Sequence, residues 1–245
     1  MSPPPAGVRV VLLDIEGTTT PIAFVHQTLF EYARAHLDEY LADHLGDAGV
    51  QDAVRRLARE HEADRGAAGP AAWRDDAPNA RRESAARYAR WLMDRDRKSP
   101  GLKQLQGLIW DEGYRKGELK GEIYDDVPRA FGRWKAAGLG IAIYSSGSEL
   151  AQRRLFGSTA AGDLTPFIDA FFDTAVGAKT DADSYRRIAG ALGRAPAEIL
   201  FVSDVTVELS AAREAGCPTR LCRRPGNAAQ PDEAAFYAIG GLDEL

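Results

Sequence analysis

VVLLDIEGTTTP, residues 10–21, closes an apolar run with two carboxylates, Asp14 and Glu16, then continues through Gly17 into three threonines. Like charges that close repel and raise one another's pKa, so the spacing calls for exposure to water or for a cation. The run is short, apolar and rich in β-formers, which predicts a buried strand with its polar residues at the carboxyl end.

Comparable runs follow at GIAIY 140–144, DAFFD 169–173, EILFVS 198–203 and TRLC 219–222, and the first run extends back to VRVVLL 8–13. The middle three lead into helical patterns, as buried parallel strands with crossover helices do. Helices are predicted over 126–137, 147–156, 183–192 and 206–215. The first carries an apolar stripe of Val127, Phe131 and Trp134 and stops at Gly138. The inferred core is an α/β, doubly wound parallel sheet.

The first strand ends near Asp14 and the second begins near Gly140, far more chain than one crossover helix requires. Inside that gap Val25, Leu29, Ala33, Leu37, Leu41 and Leu45 recur at helical spacing, and further helical stretches fit 48–64, 79–97 and 102–116. Residues 22–122 therefore read as an inserted helical cap, broken by the Gly/Pro-rich RGAAGPAAW at 65–73, with residues 1–21 and 123–245 forming the core.

Composition bounds the partners. With 31 basic against 36 acidic residues the net charge is −5, and the longest basic cluster is RDRK at 95–98, so the footprint of a nucleic-acid binder is missing. Cys217 and Cys222, in CPTRLC, fit neither a short-spaced metal pair nor a disulfide framework, and are expected to be buried free thiols. The opening MSPPPAG lacks the pattern of a secretory leader, and no segment reaches the roughly 18 apolar residues of a membrane span. The expectation is a cytoplasmic protein acting on a small molecule.

Ligands of open α/β sheets gather beyond the carboxyl ends of the strands. Four such places carry chemistry: Asp14-Ile15-Glu16-Gly17-Thr18-Thr19, Ser145-Ser146-Gly147, Lys179-Thr180 and Ser203-Asp204. Asp14 suits a carboxylate nucleophile that splits phosphate-ester hydrolysis into two displacements. Magnesium held by Asp14 and Asp204 would cancel the repulsion noted above. Ser145 can hydrogen-bond a phosphate oxygen, and Lys179 can stabilise charge on the transferring group. Glu16 can protonate a leaving oxygen and later deprotonate water, while Gly17 would let backbone amides approach the phosphate.

Each residue also has a plain structural use. Ser146-Gly147-Ser148-Glu149 and Thr180-Asp181-Ala182-Asp183 both fit helix caps, Asp204 could cap its own helix, and a lone lysine usually sits in solvent. Capping alone does not place polar groups at successive strand ends in this order. His26, His36, His44 and His61 form no metal pattern; His26, next to the DIEGTTT loop, could contact substrate, although packing or solvation explains most histidines. Trp73, Trp91, Trp110 and Trp134 read as core or cap aromatics.

These residues resemble the haloacid dehalogenase superfamily of phosphohydrolases. More narrowly, DIEGTTTPIAFV 14–25, LKQLQGLIW 102–110, IYSSGSELAQRRLFG 143–157, SYRRIA 184–189, ILFVSDVTVELSAA 199–212 and RPGNA 224–228 resemble the enolase-phosphatase (acireductone synthase) family. The resemblance implies enolisation, then dephosphorylation, of 2,3-diketo-5-methylthiopentyl-1-phosphate in methionine salvage. It also implies one magnesium per chain held by Asp14, Glu16 and Asp204, catalysis by Asp14, Glu16 and Lys179, and substrate contacts from Ser145, Ser146, Lys179, Gly17 and Thr18. A monomer is the family expectation. Most superfamily phosphatases have Asp at the position of Glu16, and whether Glu16 meets the metal by side chain or backbone stays open. So does the base for enolisation, for which Glu16 is the economical candidate and Lys103, Gln104 and Gln106 are others. The alternatives are a capped phosphatase for another small phosphorylated metabolite and a phospho-accepting signalling domain, although the latter needs no hundred-residue cap.

Overall fold

The computed structural model describes residues 5–66, 69–97 and 99–245. Residues 1–4 of the proline-rich opening, Ala67 and Ala68 of the predicted break and Lys98 of the basic cluster lie outside them. The chain divides into two compact units, Met1–Val25 with Leu119–Leu245, and His26–Glu118.

In the first unit, β1 (Val10–Leu13) leads into a single helical turn, α1 (Ile22–Phe24). The second unit holds α2 (Phe30–His44), α3 (Ala48–Ala63), α4 (Pro78–Met93) and α5 (Pro100–Lys116). After it come α6 (Asp126–Ala136), β2 (Gly140–Tyr144), α7 (Glu149–Gly157), β3 (Ala170–Phe172), α8 (Ala182–Leu192), β4 (Ile199–Ser203), α9 (Thr206–Glu214), β5 (Thr219–Cys222) and β6 (Ala238–Ile239).

The strands form one parallel sheet in the order β3-β2-β1-β4-β5-β6, the doubly wound arrangement the sequence predicts. β1 lies between β2 and β4, with Val10 opposite Gly140 on one side and Ile199 on the other. That register brings the carboxyl ends of β1, β2 and β4 side by side.

Because β1 is covered on both faces, its four residues are all buried rather than alternating. Val10 and Leu12 pack with Tyr144, Tyr185, Ile188, Phe201 and Leu209. On α6 the predicted stripe is realised: Val127, Phe131 and Trp134 are buried, with Phe131 against Phe156 and Phe167. Cys217 and Cys222 are buried free thiols.

The helical unit has its own core of Leu37, Leu41, Val54, Leu57, Tyr88, Leu92, Leu105 and Ile109, among others. α3 and α5 approach closely at Gly101, where a Cβ would stand 2.9 Å from the Leu57 backbone nitrogen. His26 packs edge-on against Phe30, which stacks on Trp110. Among the described residues no helix is long and apolar enough to cross a membrane.

Candidate active site

The first polar group after β1 is Asp14, whose backbone N–H still donates to Val202 of the neighbouring strand at 3.0 Å. The sheet thus fixes its main chain while the side chain, in a residue 4% exposed, projects past the strand end. One of its oxygens, Oδ1, accepts from the Ile15 amide at 2.7 Å and faces Lys179 Nζ at 2.7 Å. The other, Oδ2, lies 3.3 Å from the Ser203 hydroxyl.

Lys179 is no solvated surface lysine. Its ammonium also lies 2.6 Å from Glu208 Oε2. Burial opposes its charge, but the carboxylates of Asp14 and Glu208 hold it above the ordinary lysine range.

Asp204, directly after β4, is buried and does not cap α9, whose N-cap position is Val205. Burial first, and the Asp14 charge second, push its carboxyl up to about 7. Glu208 is likewise pushed up to about 7 by burial and then by Asp14, with Lys179 pulling the other way. Three carboxylates thus share one ammonium, and the excess negative charge is what a cation would relieve.

The donor set fits a hard divalent cation. Among the described residues no three His, Cys, Asp or Glu side chains gather as a metal cage. A small, strongly hydrated cation needs only one or two carboxylates, completed by waters and phosphate oxygens. Gly17 keeps the approach to Asp204 open: a Cβ there would stand 2.4 Å from Asp204 Oδ2, and φ of +68° disfavours any other residue.

Ser145 follows β2, its N–H donating to Phe172 at 3.1 Å and its hydroxyl accepting from the Gly147 amide at 3.1 Å. Ser148, not Ser146, caps α7 by accepting from Ala151. Asp181 caps α8 through the Asp183 amide. The capping uses of these two stretches are therefore met by residues beside the candidates, and Ser146 stands exposed next to Ser145.

Gly17 and Thr18 belong to the tight turn that follows β1. The Gly17 amide donates to Thr20, and the amides of Thr18, Thr19 and Thr20 all converge on the Ile15 carbonyl. Thr18 is fully buried and its hydroxyl makes no hydrogen bond within the chain. The amides of Gly17, Thr18, Thr19 and Thr20 are thus all used within the turn. Glu16, half-buried, rides on this turn. Of the cap candidates, Gln104 donates to the Gly49 carbonyl and Gln106 is buried, both on α5.

Sequence reasoning passed over Glu208, and it placed Ser203 at the strand end without giving it a role. Glu208 falls four residues after Asp204 in the first turn of α9, so it faces the strand end, but a first-turn glutamate is also what the helix dipole favours. Ser203 connects the two acids, its hydroxyl 3.0 Å from Glu208 and 3.3 Å from Asp14.

Fold and site together are those of a haloacid dehalogenase-like hydrolase, and the model of that family matches residues 8–216. Enolase-phosphatase E1 of Synechococcus elongatus is 50% identical to the chain over 243 residues, covering 99% of this chain and 100% of that protein. The protein of the same name from Drosophila yakuba is 46% identical over 242 residues, 97% of this chain and 92% of that one. Among solved structures, the UTR4 protein of Saccharomyces cerevisiae superposes with a TM-score of 0.77 at 34% identity, over 97% of this chain and 100% of that chain. The chain belongs to this hydrolase family, on its enolase-phosphatase branch.

Proposed function

We propose that the chain is a magnesium-dependent enolase-phosphatase of methionine salvage, which enolises 2,3-diketo-5-methylthiopentyl-1-phosphate and then removes its phosphate to give the acireductone 1,2-dihydroxy-3-keto-5-methylthiopentene. The observation that carries the phosphoryl step is the buried Asp14–Lys179–Glu208 cluster beside Asp204. The enolisation step and the substrate are supported by the near-full-length similarity to enolase-phosphatases.

Asp14 and Asp204 would hold the magnesium, with Glu16 a third ligand by side chain or backbone. When bound, the ion supplies positive charge against the developing negative charge on substrate oxygens. The chain's own residues do the rest. Enolisation moves a proton from the carbon bearing the phosphate to the neighbouring carbonyl oxygen, with Glu16 as the economical carrier. Ser145 and Ser146 bind the phosphate, and Lys179 holds the Asp14 carboxylate in place while balancing charge on the transferring group. An oxygen of Asp14 then attacks phosphorus. Glu16, which takes up a proton from solvent after enolisation and releases one before the next cycle, is then the acid: the bond from phosphorus to the enol oxygen breaks, and that oxygen leaves with the electron pair and takes the proton from Glu16. Glu16 next takes a proton from water, whose oxygen attacks the aspartyl-phosphate and returns Asp14 as a carboxylate.

The working unit is proposed to be one chain in the cytoplasm. Acid quench during turnover, followed by peptide mapping, tests the covalent step: a phosphoryl group is expected on the peptide holding Asp14. A phosphoryl group elsewhere, or none at any time of quench, overturns the assignment of the nucleophile.

A further inference from the structure

The turn that carries Glu16 is held from behind by the loop that follows β5. Arg224, 8% exposed, donates from Nε at 3.1 Å and from Nη2 at 3.0 Å to a single acceptor, the Thr18 carbonyl. Its third nitrogen, Nη1, pairs with Asp126 Oδ2 at 2.9 Å, and the guanidinium lies 4.2 Å from the centre of the Tyr124 ring. Asn227, three residues on, donates from Nδ2 to the Gly17 carbonyl at 2.9 Å and to the Cys222 carbonyl at 3.2 Å. The Tyr124 amide takes the next carbonyl, that of Thr19, at 3.0 Å.

Three consecutive carbonyls of the turn, 17 to 19, are thus bound from outside it, while its amides are bound from within. This exceeds what a surface turn needs, since exposed carbonyls are satisfied by water. A buried arginine spending two donors on one carbonyl is a strong, charge-assisted and directional restraint. None of these groups touches Asp14 or Lys179 by a hydrogen bond. Their effect falls on the segment whose one outward polar side chain is Glu16.

Resting on the acid/base assignment of Glu16 above, we propose that Arg224 and Asn227 are positioning residues. They fix the backbone of the Glu16-Gly17-Thr18 turn so that the Glu16 carboxyl meets the leaving oxygen and then the attacking water. Asp126 anchors Arg224 in turn, and its Oδ2 also accepts from the Leu242 amide at 2.5 Å.

A positioning role acts through Glu16, which a double-mutant cycle isolates. The variants Arg224→Met, Asn227→Ala and Glu16→Gln, and each of the first two combined with Glu16→Gln, are compared by phosphate release from the diketo phosphate at saturating magnesium. Arg224→Met is expected to lower kcat about 10- to 100-fold, the range for losing charged hydrogen bonds, with KM changed less than about threefold. Arg224→Lys is expected to recover part of the loss by supplying one donor. In the Glu16→Gln background the same substitutions should lose little more, because what they position is already gone. Losses that multiply fully in the double variants overturn the proposal, as does a kcat for Asn227→Ala within about twofold of wild type. Asn227→Ala removes the side-chain hydrogen bond to the Gly17 carbonyl and keeps the test decisive if Arg224→Met does not fold. Glu16→Gln with wild-type kcat would instead show that the acid/base assignment is wrong. No phosphate from the wild-type protein would overturn the functional proposal, and both results would take the positioning role down with them.

Discussion

Lys179 holds two carboxylates, Asp14 at 2.7 Å and Glu208 at 2.6 Å, in a pocket where its own side chain is 10% exposed. Breaking such a buried pair by removing one partner leaves uncompensated charge and costs about 3–5 kcal/mol. Lys179→Ala is therefore expected to lose turnover and also to lower the urea midpoint, and an unchanged midpoint would contradict the buried ion pair. Asp14→Asn differs: it keeps the shape and relieves the crowding of acids, so phosphate release should fall by about 10³-fold or more while the melting temperature stays or rises. A variant that unfolds would show that Asp14 is chiefly structural. At this scale Asp14, Ser145, Lys179 and Asp204 were legible because a polar residue straight after a buried apolar run has few places to go but the sheet's carboxyl edge. Glu208 was not, because its sequence position looks like an ordinary first-turn acid. Nor was the binding of the Thr18 carbonyl by Arg224, 206 residues away.

Elements were easier to read than their ends. The strands and the four crossover helices follow from run length and apolar spacing, and they fall within a few residues of the expected ranges. β6, two residues long, carries no periodic signal at all. The helix expected over 79–97 stops at Met93, and Asp96 beyond it takes a left-handed φ of 46° that no local pattern announces. α5 shows what a cap adds: Ser99 accepts from the Leu102 amide at 3.0 Å and donates to Glu60, whose other oxygen accepts from the Gly101 amide at 2.9 Å. Ser99→Ala should destabilise the protein by about 1–2 kcal/mol in equilibrium unfolding. A change below about 0.3 kcal/mol would mean that the cap is dispensable.

Across the whole molecule, the two cysteines report on the integrity of the α/β core. Burial pushes the Cys217 thiol up to about 11, and burial opposed by Arg224 pushes Cys222 up to about 12. Both thiols are more acidic in the unfolded chain. Their contribution to stability is thus complete below the unfolded value of about 9 and is lost as pH rises through 11 to 12. Alkylation of the native protein at about pH 8 should be negligible and should become rapid on denaturation. Fast labelling of the native protein would contradict the burial of both thiols.

One measurement bears most directly on the account as a whole. Purified protein, magnesium and the diketo phosphate are mixed without oxygen, and phosphate release and enol absorbance are followed together. Both signals should appear with the wild-type protein, neither should appear with EDTA, and phosphate release should vanish in Asp14→Asn. Phosphate without an enol product, or phosphate release that survives both EDTA and Asp14→Asn, would contradict a single site at the end of β1 carrying out both steps.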